Sequence, residues 1–569
     1  MAKKWQYCNK KSEKDNIEIQ KLEENYKISK LLATIMVNRG IYEDKAEVFL
    51  NPTRNDFHNP FDMPDMEKAV QRILQAVENN EKTIIYGDYD VDGITSITIL
   101  KKYLKDRGLE CDYYIPNRLK EGYGLNTEAI EKIVKDGYNL IITVDCGITA
   151  NEEIEMANRL GTDIIITDHH EPGEKIPTEA VAVIDCKRKD NKYPFKELCG
   201  AGVAFKLCQA ISQKLKLDEK EYLKYLDIAC IGTISDIVPL IDENRVITKL
   251  GLKLVNCTKN LGLNALLKSI GYNKIDSTAI AFGVAPRINA CGRMGNADIA
   301  IKLLLCDNLK EAEILVRKTQ EYNVKRQSEE RKIYEEAINQ IKIKKKENED
   351  VFILSGKDWH TGVIGIVSSK ITEKYYRPSI LIGFNNDDMI GKGSGRSIKG
   401  FDLHKALMEC KEYLSGFGGH TMAVGVSINK NNLQTFETKL LQIAKQSELS
   451  MLIPTLDIDE TIIIDDLKKQ EVESLSMLEP FGEANSMPIF AFKNLKIDSI
   501  RWLSEGKHLR LTLKSNKNTF INAIGFNMEQ YTNEFKIGDR IDLAGNLEIN
   551  SFNGFDSIQI NIKDIMQSI

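Results

Sequence analysis

No CxxC pair and no CxxCH occurs among the 11 cysteines, so zinc-ribbon, thioredoxin-like and c-haem readings have no support. An odd number of scattered thiols points to reduced cysteine in a cytosol. Long hydrophobic runs are missing too. No stretch approaches the roughly 18 apolar residues that a membrane-spanning helix needs, and the opening MAKKWQYCNKKSEKDN has no apolar signal core. A cytoplasmic protein with no membrane partner is the expectation. An excess of one charge is also absent, because 78 Lys and Arg against 83 Asp and Glu leave a formal charge of −5. That balance excludes a globally basic nucleic-acid magnet. It leaves room for a local basic track, which an acidic metal site elsewhere would mask in the sum. With only 13 Pro and 37 Gly, and 42% hydrophobic residues, the 569-residue chain is neither fibrous nor disordered.

At about 150 residues per domain the length implies three or four domains. Residues 1–65 read as a helical, charged cap that ends in the irregular NPTRNDFHNPFDMPDM. From residue 66 to 307, short apolar runs (TIIYG, NLIITV, TDIIIT, AVAVID) alternate with helical patterns near 94–107 and 150–160. This βαβ rhythm predicts a parallel sheet. Each run ends in acidic or His-bearing residues, where strand carboxyl ends place ligand sites. Residues 308–346 are helix-compatible throughout, and positions 317–346 hold ten Lys/Arg against five Glu. Such a helix is either a solvated connector or the basic wall of a nucleic-acid groove. A second α/β unit spans 347–450, with VFILSG, a helix near 362–374, SILIGF, and the Gly-rich GKGSGRS and GFGGH. From 455 to 569 short alternating strands such as HLRLTL and INAIGF suit an oligonucleotide-binding barrel or a generic β-sandwich. Trp502, Phe526, Phe552 and Phe555 there are either base-stacking groups or barrel core.

Asp88-Tyr89-Asp90-Val91-Asp92-Gly93 places three carboxylates at i, i+2 and i+4, a cluster suited to hard cations. A calcium EF-hand is disfavoured, because Ile99 stands where its bidentate Glu should be and a strand precedes the loop. Asp168-His169-His170 ends another predicted strand, in a chain with only seven His. With Asp145 in TVDCG and Asp236 in GTISDIVPL these supply mixed carboxylate and imidazole ligands without thiolate, which favours manganese or magnesium. Shared carboxylates would let two ions sit about 4 Å apart, the arrangement used in phosphoester hydrolysis.

In order and spacing, DYDVDG, TVDCG, TDHH and GTISDIVPL resemble the four motifs of the DHH phosphoesterase superfamily. IPNRLKEGYGLN, APRINACGRMG, DWHTGVIGIVSSK, GSGRS, GFGGH and LEPFGEAN narrow the resemblance to the RecJ family of bacterial single-strand-specific 5′→3′ exonucleases, over residues 60–569. The fold implied is two α/β lobes, a parallel-sheet DHH domain and a DHHA1 domain, joined by a long helix and followed by an OB-fold β-barrel. Asp90, Asp92, Asp145, His169 and Asp236 are implied as ligands of two divalent cations, Mn2+ or Mg2+. Asp145 would bridge the ions, and Asp88 would either support the ligands from behind or assist the first metal. His170 would orient the scissile phosphate or protonate the leaving oxygen.

Gly393-Ser394-Gly395-Arg396-Ser397 is either a plain Gly-rich turn or a phosphate cradle, for which it offers backbone amides, hydroxyls and a guanidinium. Ser394 and Arg396, with Arg118, match the family's pocket for a 5′ phosphate. Arg287, Asn289, Arg293, Arg326 and Gln327 are expected to line a passage for single-stranded DNA, with His360 and His420 facing the cleft between lobes. The resemblance further implies DNA recombination and repair, a monomer, and a single-stranded-DNA-binding protein and a RecQ-type helicase as partners. Two rivals remain at this stage. One is a phosphodiesterase of the same superfamily acting on cyclic dinucleotides or short RNA, which needs neither barrel nor basic helix. The other is a non-catalytic single-strand-binding scaffold, which would have lost ligands that this sequence keeps.

Overall fold

The computed structural model describes the whole chain except residues 1, 2, 9, 10, 119, 120, 344, 386, 387, 448, 450, 451, 533, 553 and 569 and the side chain of Phe552. It forms two compact units, residues 55–452 and residues 1–54 with 453–569.

The larger unit opens on a five-stranded sheet: β1 (Thr83–Gly87), β2 (Cys111–Tyr114), β3 (Leu140–Val144), β4 (Asp163–Asp168) and β5 (Ala182–Asp185). All neighbours are parallel, in the order β2-β1-β3-β4-β5. The Ile-rich runs are buried on both faces, as a parallel sheet covered by helices requires. Alternate residues serve two cores, since Ile85 and Ile142 join one cluster while Ile84, Tyr86 and Ile141 join the other. Truncating a fully buried position such as Ile142 to Ala would cost about 2–5 kcal/mol. The strand order reverses between β1 and β3, and a crevice opens there at the strand carboxyl ends. Three helices close on that crevice: α1 (Val91–Lys105), α2 (Gly200–Lys214) and α3 (Leu226–Ser235).

Two further helices lead out of this lobe, α4 (Ala285–Arg293) and α5 (Leu309–Ile343). The 35 residues of α5 reach about 50 Å at 1.5 Å per residue. Its apolar stripe docks on both lobes: Ala312, Leu315 and Val316 enter the first core, and Ile333, Ala337, Ile338 and Ile341 enter the second. It is therefore a packed strut, while Lys318, Lys325 and Gln327 keep an exposed face.

The second lobe holds β6 (Phe352–Lys357), helix α6 (Thr361–Tyr375), β7 (Ser379–Phe384), β8 (Ile390–Arg396), β9 (Leu414–His420) and β10 (Ala423–Asn429). The sheet order is β9-β10-β8-β7-β6, with only β6 and β7 parallel. The GKGSGRS segment is thus the central strand β8 and not a free loop. Its backbone pairs with β7 on one side and β10 on the other, so the cradle expected from its amides is replaced by side chains alone.

In the smaller unit, β11 (Phe490–Leu503), β12 (His508–Lys514), β13 (Phe520–Gly525), β14 (Arg540–Phe552) and β15 (Phe555–Gln567) pair in the cycle β11-β12-β13-β15-β14 and back to β11. This is a closed five-stranded barrel of the OB type. Residues 1–54 fold with it: Leu32, Ile35 and Met36 of the Lys30–Asn38 helix share one core with Phe490, Leu511 and Ile541. That helix is too apolar to stand as a solvated cap, and the barrel wall supplies its cover.

Candidate metal centre

Asp90 caps α1, its carboxylate accepting from the Gly93 amide at 3.0 Å. A Cβ on Gly93 would lie 2.4 Å from the Asp88 carbonyl, so only glycine lets the turn close and gather Asp88, Asp90 and Asp92. Asp145, just past β3, adopts a left-handed backbone (φ 60°), an uncommon state for a non-glycine residue and one that turns its carboxylate into the crevice. Ligand atoms converge in three sets, each within 4.8 Å: Asp88, Asp90 and Asp145; Asp92, His169 and Asp236; and Asp145, His169 and His170. His169 Nε2 lies 3.1 Å from Asp145 Oδ1, 3.6 Å from Asp236 Oδ2 and 3.7 Å from Asp92 Oδ2.

Electrostatics fits a cation. Burial first, then mutual repulsion, raises the carboxyls of Asp88 and Asp145 well above the ordinary range, that of Asp92 to about 6 and that of Asp236 to about 9. Burial, followed by the adjacent His170, pushes His169 down to about 3, so its ring stays neutral as a ligand must. Among the described residues, the buried Asp88 Oδ1 and His169 Nε2 have no hydrogen-bond partner. An acceptor-rich cluster with orphaned donor atoms is suited to a divalent ion.

Sequence reading missed several supports. The first amides of α2 hold Asp92, Gly200 N at 2.5 Å and Ala201 N at 2.9 Å. A Cβ on Gly200 would fall 2.6 Å from Asp145 Cβ, and one on Gly232 would fall 2.9 Å from Asp92 Oδ1. Nothing in ELCGAGVA announces this, because the glycine matters only once three distant segments meet. Asp168 lies behind the cluster, accepting from His170 Nδ1 at 2.7 Å. Burial opposes that bond on both partners, yet it leaves Asp168 below and His170 above the ordinary value. Tyr123, between Gly122 and Gly124 with positive φ, brings its hydroxyl within 3.1 Å of His170 Nδ1.

A basic pocket adjoins the cluster. Arg293 at the end of α4 is pushed down to about 10 by burial and then by Arg118, Arg326 and Arg396, with Asp90 acting the other way. The lobes meet closely here: Arg293 donates to the Gly362 carbonyl at 3.1 Å, and a Cβ on Gly362 would lie 2.3 Å from the Arg293 carbonyl. Ser394 accepts from Arg396 Nη1 at 3.1 Å, and Gly365 of α6 leaves both side chains room. Arg118 lies over the Tyr89 ring at 4.9 Å. Arg326 is tied to Asn323 and Glu330.

The remaining expected residues are spread more widely. His360 caps α6 and accepts from the Gly362 amide at 3.2 Å. His420 is exposed at the end of β9, in one cross-strand row with Ala423 and Arg396. That row puts His420 on the face of Arg396 but about 10 Å away, two strand spacings. Gly418 and Gly425, in the row of Ser394, face open space and leave this floor bare. Arg287 donates to Gln320 on α5, Asn289 lies one turn before Arg293, and Gln327 is exposed. On the barrel, Trp502 packs against the core, Phe526 and Phe555 are exposed, and the Phe552 side chain lies outside the described residues.

A parallel sheet with carboxylates and two histidines at its switch point, facing an arginine pocket, defines a metal-dependent phosphoesterase. Family models agree: the DHH family N-terminal domain matches residues 82–233, the DHHA1 domain 348–446 and the RecJ OB domain 458–564. The single-stranded-DNA-specific exonuclease RecJ of Bacillus subtilis is 38% identical over 555 residues, covering 97% of this chain and 70% of that protein. Crystal structures of RecJ from Thermus thermophilus match with TM-score 0.86 in complex with Mn2+ and 0.79 in complex with Mg2+. They are 27% and 26% identical, span all of this chain, and are covered over 80% and 79% of their own length. The chain belongs to the RecJ family of exonucleases.

Proposed function

We propose that this protein is a 5′→3′ exonuclease, dependent on Mn2+ or Mg2+, that degrades single-stranded DNA to mononucleotides in DNA recombination and repair. One observation carries the reading: Asp90, which converges with Asp88 and Asp145 in the ligand cluster, also acts by its charge on Arg293 of the arginine pocket. Asp90, Asp92, Asp145, His169 and Asp236 would hold two ions, with Asp145 common to both and Asp88 alongside. Bound there, the metal would supply an ionised water and neutralise negative charge on the phosphate oxygens. His170, steadied by Asp168 and Tyr123, keeps a proton available to the leaving oxygen. Arg118, Ser394 and Arg396 take the 5′ phosphate and so set polarity.

Arg287, Asn289, Arg293, Arg326, Gln327, His360 and His420 would line the strand's path. The domains proposed with it are the DHH lobe (66–307), the connecting helix (308–346), the DHHA1 lobe (347–450) and the OB barrel (455–569). A monomer in the cytoplasm, working beside a single-stranded-DNA-binding protein and a RecQ-type helicase, completes the proposal. The test incubates the purified protein and Mn2+ with 3′-labelled, 5′-phosphorylated DNA, single-stranded and duplex, beside RNA and a cyclic dinucleotide. Shortening from the 5′ end of single-stranded DNA alone is expected. Binding without cleavage, or cleavage only of RNA or the dinucleotide, overturns it.

A further inference from the structure

We propose that the mononucleotide product leaves through a second opening, ahead of the strand, rather than back through the cleft by which the DNA enters. The inference rests on the proposed 5′→3′ reaction, in which the 5′ phosphate reaches Arg118, Ser394 and Arg396 last and marks the end of the track. A cavity of about 220 Å³ continues from that point. It is lined by Arg118, Tyr89, Asn117, Asn296 and Asp298, the last held by Tyr113 and Lys302, and by neither the clustered carboxylates nor Ser394 or Arg396. Tyr89, which follows Asp88 and precedes Asp90 in the chain, has its ring beside the Arg118 guanidinium, so the cavity begins next to the metal-binding turn.

Asn296 also lines a second cavity of about 430 Å³ against α5, with Tyr322 and with Lys318 and Lys325 outnumbering Glu321. The two spaces thus share one side chain, whose Nδ2 donates to Tyr322 Oη at 3.1 Å. The second falls within the range of small-molecule sites, about 300–1,000 Å³, and the first is a narrower approach to it. The chemistry fits a nucleoside 5′-monophosphate. Such a product carries nearly two negative charges. Arg118 hands it toward the exposed Lys318 and Lys325, and tyrosine rings offer faces to its base. A forward exit lets the next nucleotide advance without withdrawal of the strand. Asn296, hydrogen-bonded to Tyr322, stands where the two spaces adjoin.

The experiment compares single-turnover cleavage with steady-state release of mononucleotides for wild type, Asn296→Trp and the charge reversal Lys318→Glu with Lys325→Glu. Lys318 and Lys325 are exposed, so the reversal leaves the core intact. Both variants are expected to keep the single-turnover rate and to lower the steady-state rate by about fivefold or more, with a burst of one product per enzyme. Unchanged steady-state rates in both variants overturn the exit. So does equal slowing of the two phases, which would place these residues in the chemistry. Absence of mononucleotide release from the wild type would instead refute the exonuclease reading itself.

Discussion

His169 Nε2 and Asp145 Oδ1 stand 3.1 Å apart, both buried, with no hydrogen bond joining them. Two polar atoms that close in a dry site ordinarily pair, because an unmet donor or acceptor costs about 1–3 kcal/mol. His169 instead belongs to two converging sets, one with Asp145 and His170 and the other with Asp92 and Asp236, while Asp145 also converges with Asp88 and Asp90. Convergence without mutual bonding is the arrangement expected of ligands, and it places Asp145 between two groups of donors.

Asp145→Asn should therefore abolish turnover, by about 10³-fold or more, while leaving the fold intact. It removes a negative charge from a crowded cluster, so the metal-free variant should melt no lower than the metal-free wild type. Adding Mn2+ should raise the melting temperature of the wild type but not of the variant. Calorimetric melts with and without the metal check this, and an equal rise in both would remove Asp145 from the ligand set.

Gly200→Ala tests the same centre from behind. The new methyl would lie 2.6 Å from Asp145 Cβ and 2.9 Å from Asp92 Oδ2, closer than side-chain atoms approach. Helix propensity favours alanine by about 1 kcal/mol, so loss of stability from the helix itself is not expected. Weaker Mn2+ binding, by about tenfold or more, is expected from displaced ligands. Titration calorimetry reads it directly.

The carboxylates were legible in the sequence because each follows an apolar run of strand length, and a parallel sheet delivers strand ends to one edge. Asp88 to Asp92, Asp145 and Asp168 to His170 all lie where that rule puts them. Gly200 and Gly232 were not legible, since their worth is the absence of a Cβ against residues on distant segments, Asp92 and Asp145 for Gly200 and Ala201, Thr95 and Asp92 for Gly232. GKGSGRS misled for a related reason. Glycine density suggests a loop, yet in β8 the glycines fit between Val424, Val426, Ile380 and Ile382 of the neighbouring strands. Pairing of residues 1–54 with the barrel was hidden by a separation of more than four hundred residues, beyond any local pattern.

His58, in the irregular segment before the sheet, gives a pH signature separate from catalysis. Its Nε2 lies 2.6 Å from Asp242 Oδ1, and that hydrogen bond, outweighing burial, raises its pKa above the ordinary 6.5. Stabilisation from a raised histidine is complete below the unfolded pKa and fades as pH rises through the folded one. His58→Gln should therefore lower the melting temperature more near pH ~5.5 than near pH ~8.5. An equal loss at both values would show that the ring acts by packing on Tyr193 alone.

End recognition should separate from hydrolysis. Arg396 and Ser394 stand at i and i+2 on one face of β8, with Gly418 and Gly425 leaving the floor beside Ser394 clear. Neither side chain belongs to the converging ligand sets, so Ser394→Ala with Arg396→Ala should spare the metal and the bond-breaking step. On the proposed reading the double variant would lose a charge-assisted contact to a terminal phosphate, about 1.5–3 kcal/mol, or roughly ten- to hundredfold in affinity. The expected result is a higher KM for 5′-phosphorylated single strands, a nearly unchanged KM for 5′-hydroxyl strands and a kcat within a few-fold of wild type. Arg118→Ala should act in the same direction, with some added loss of packing where its guanidinium covers Tyr89. If both ends weakened equally, the arginines would be holding the strand along its length, and polarity would have to come from elsewhere in the cleft.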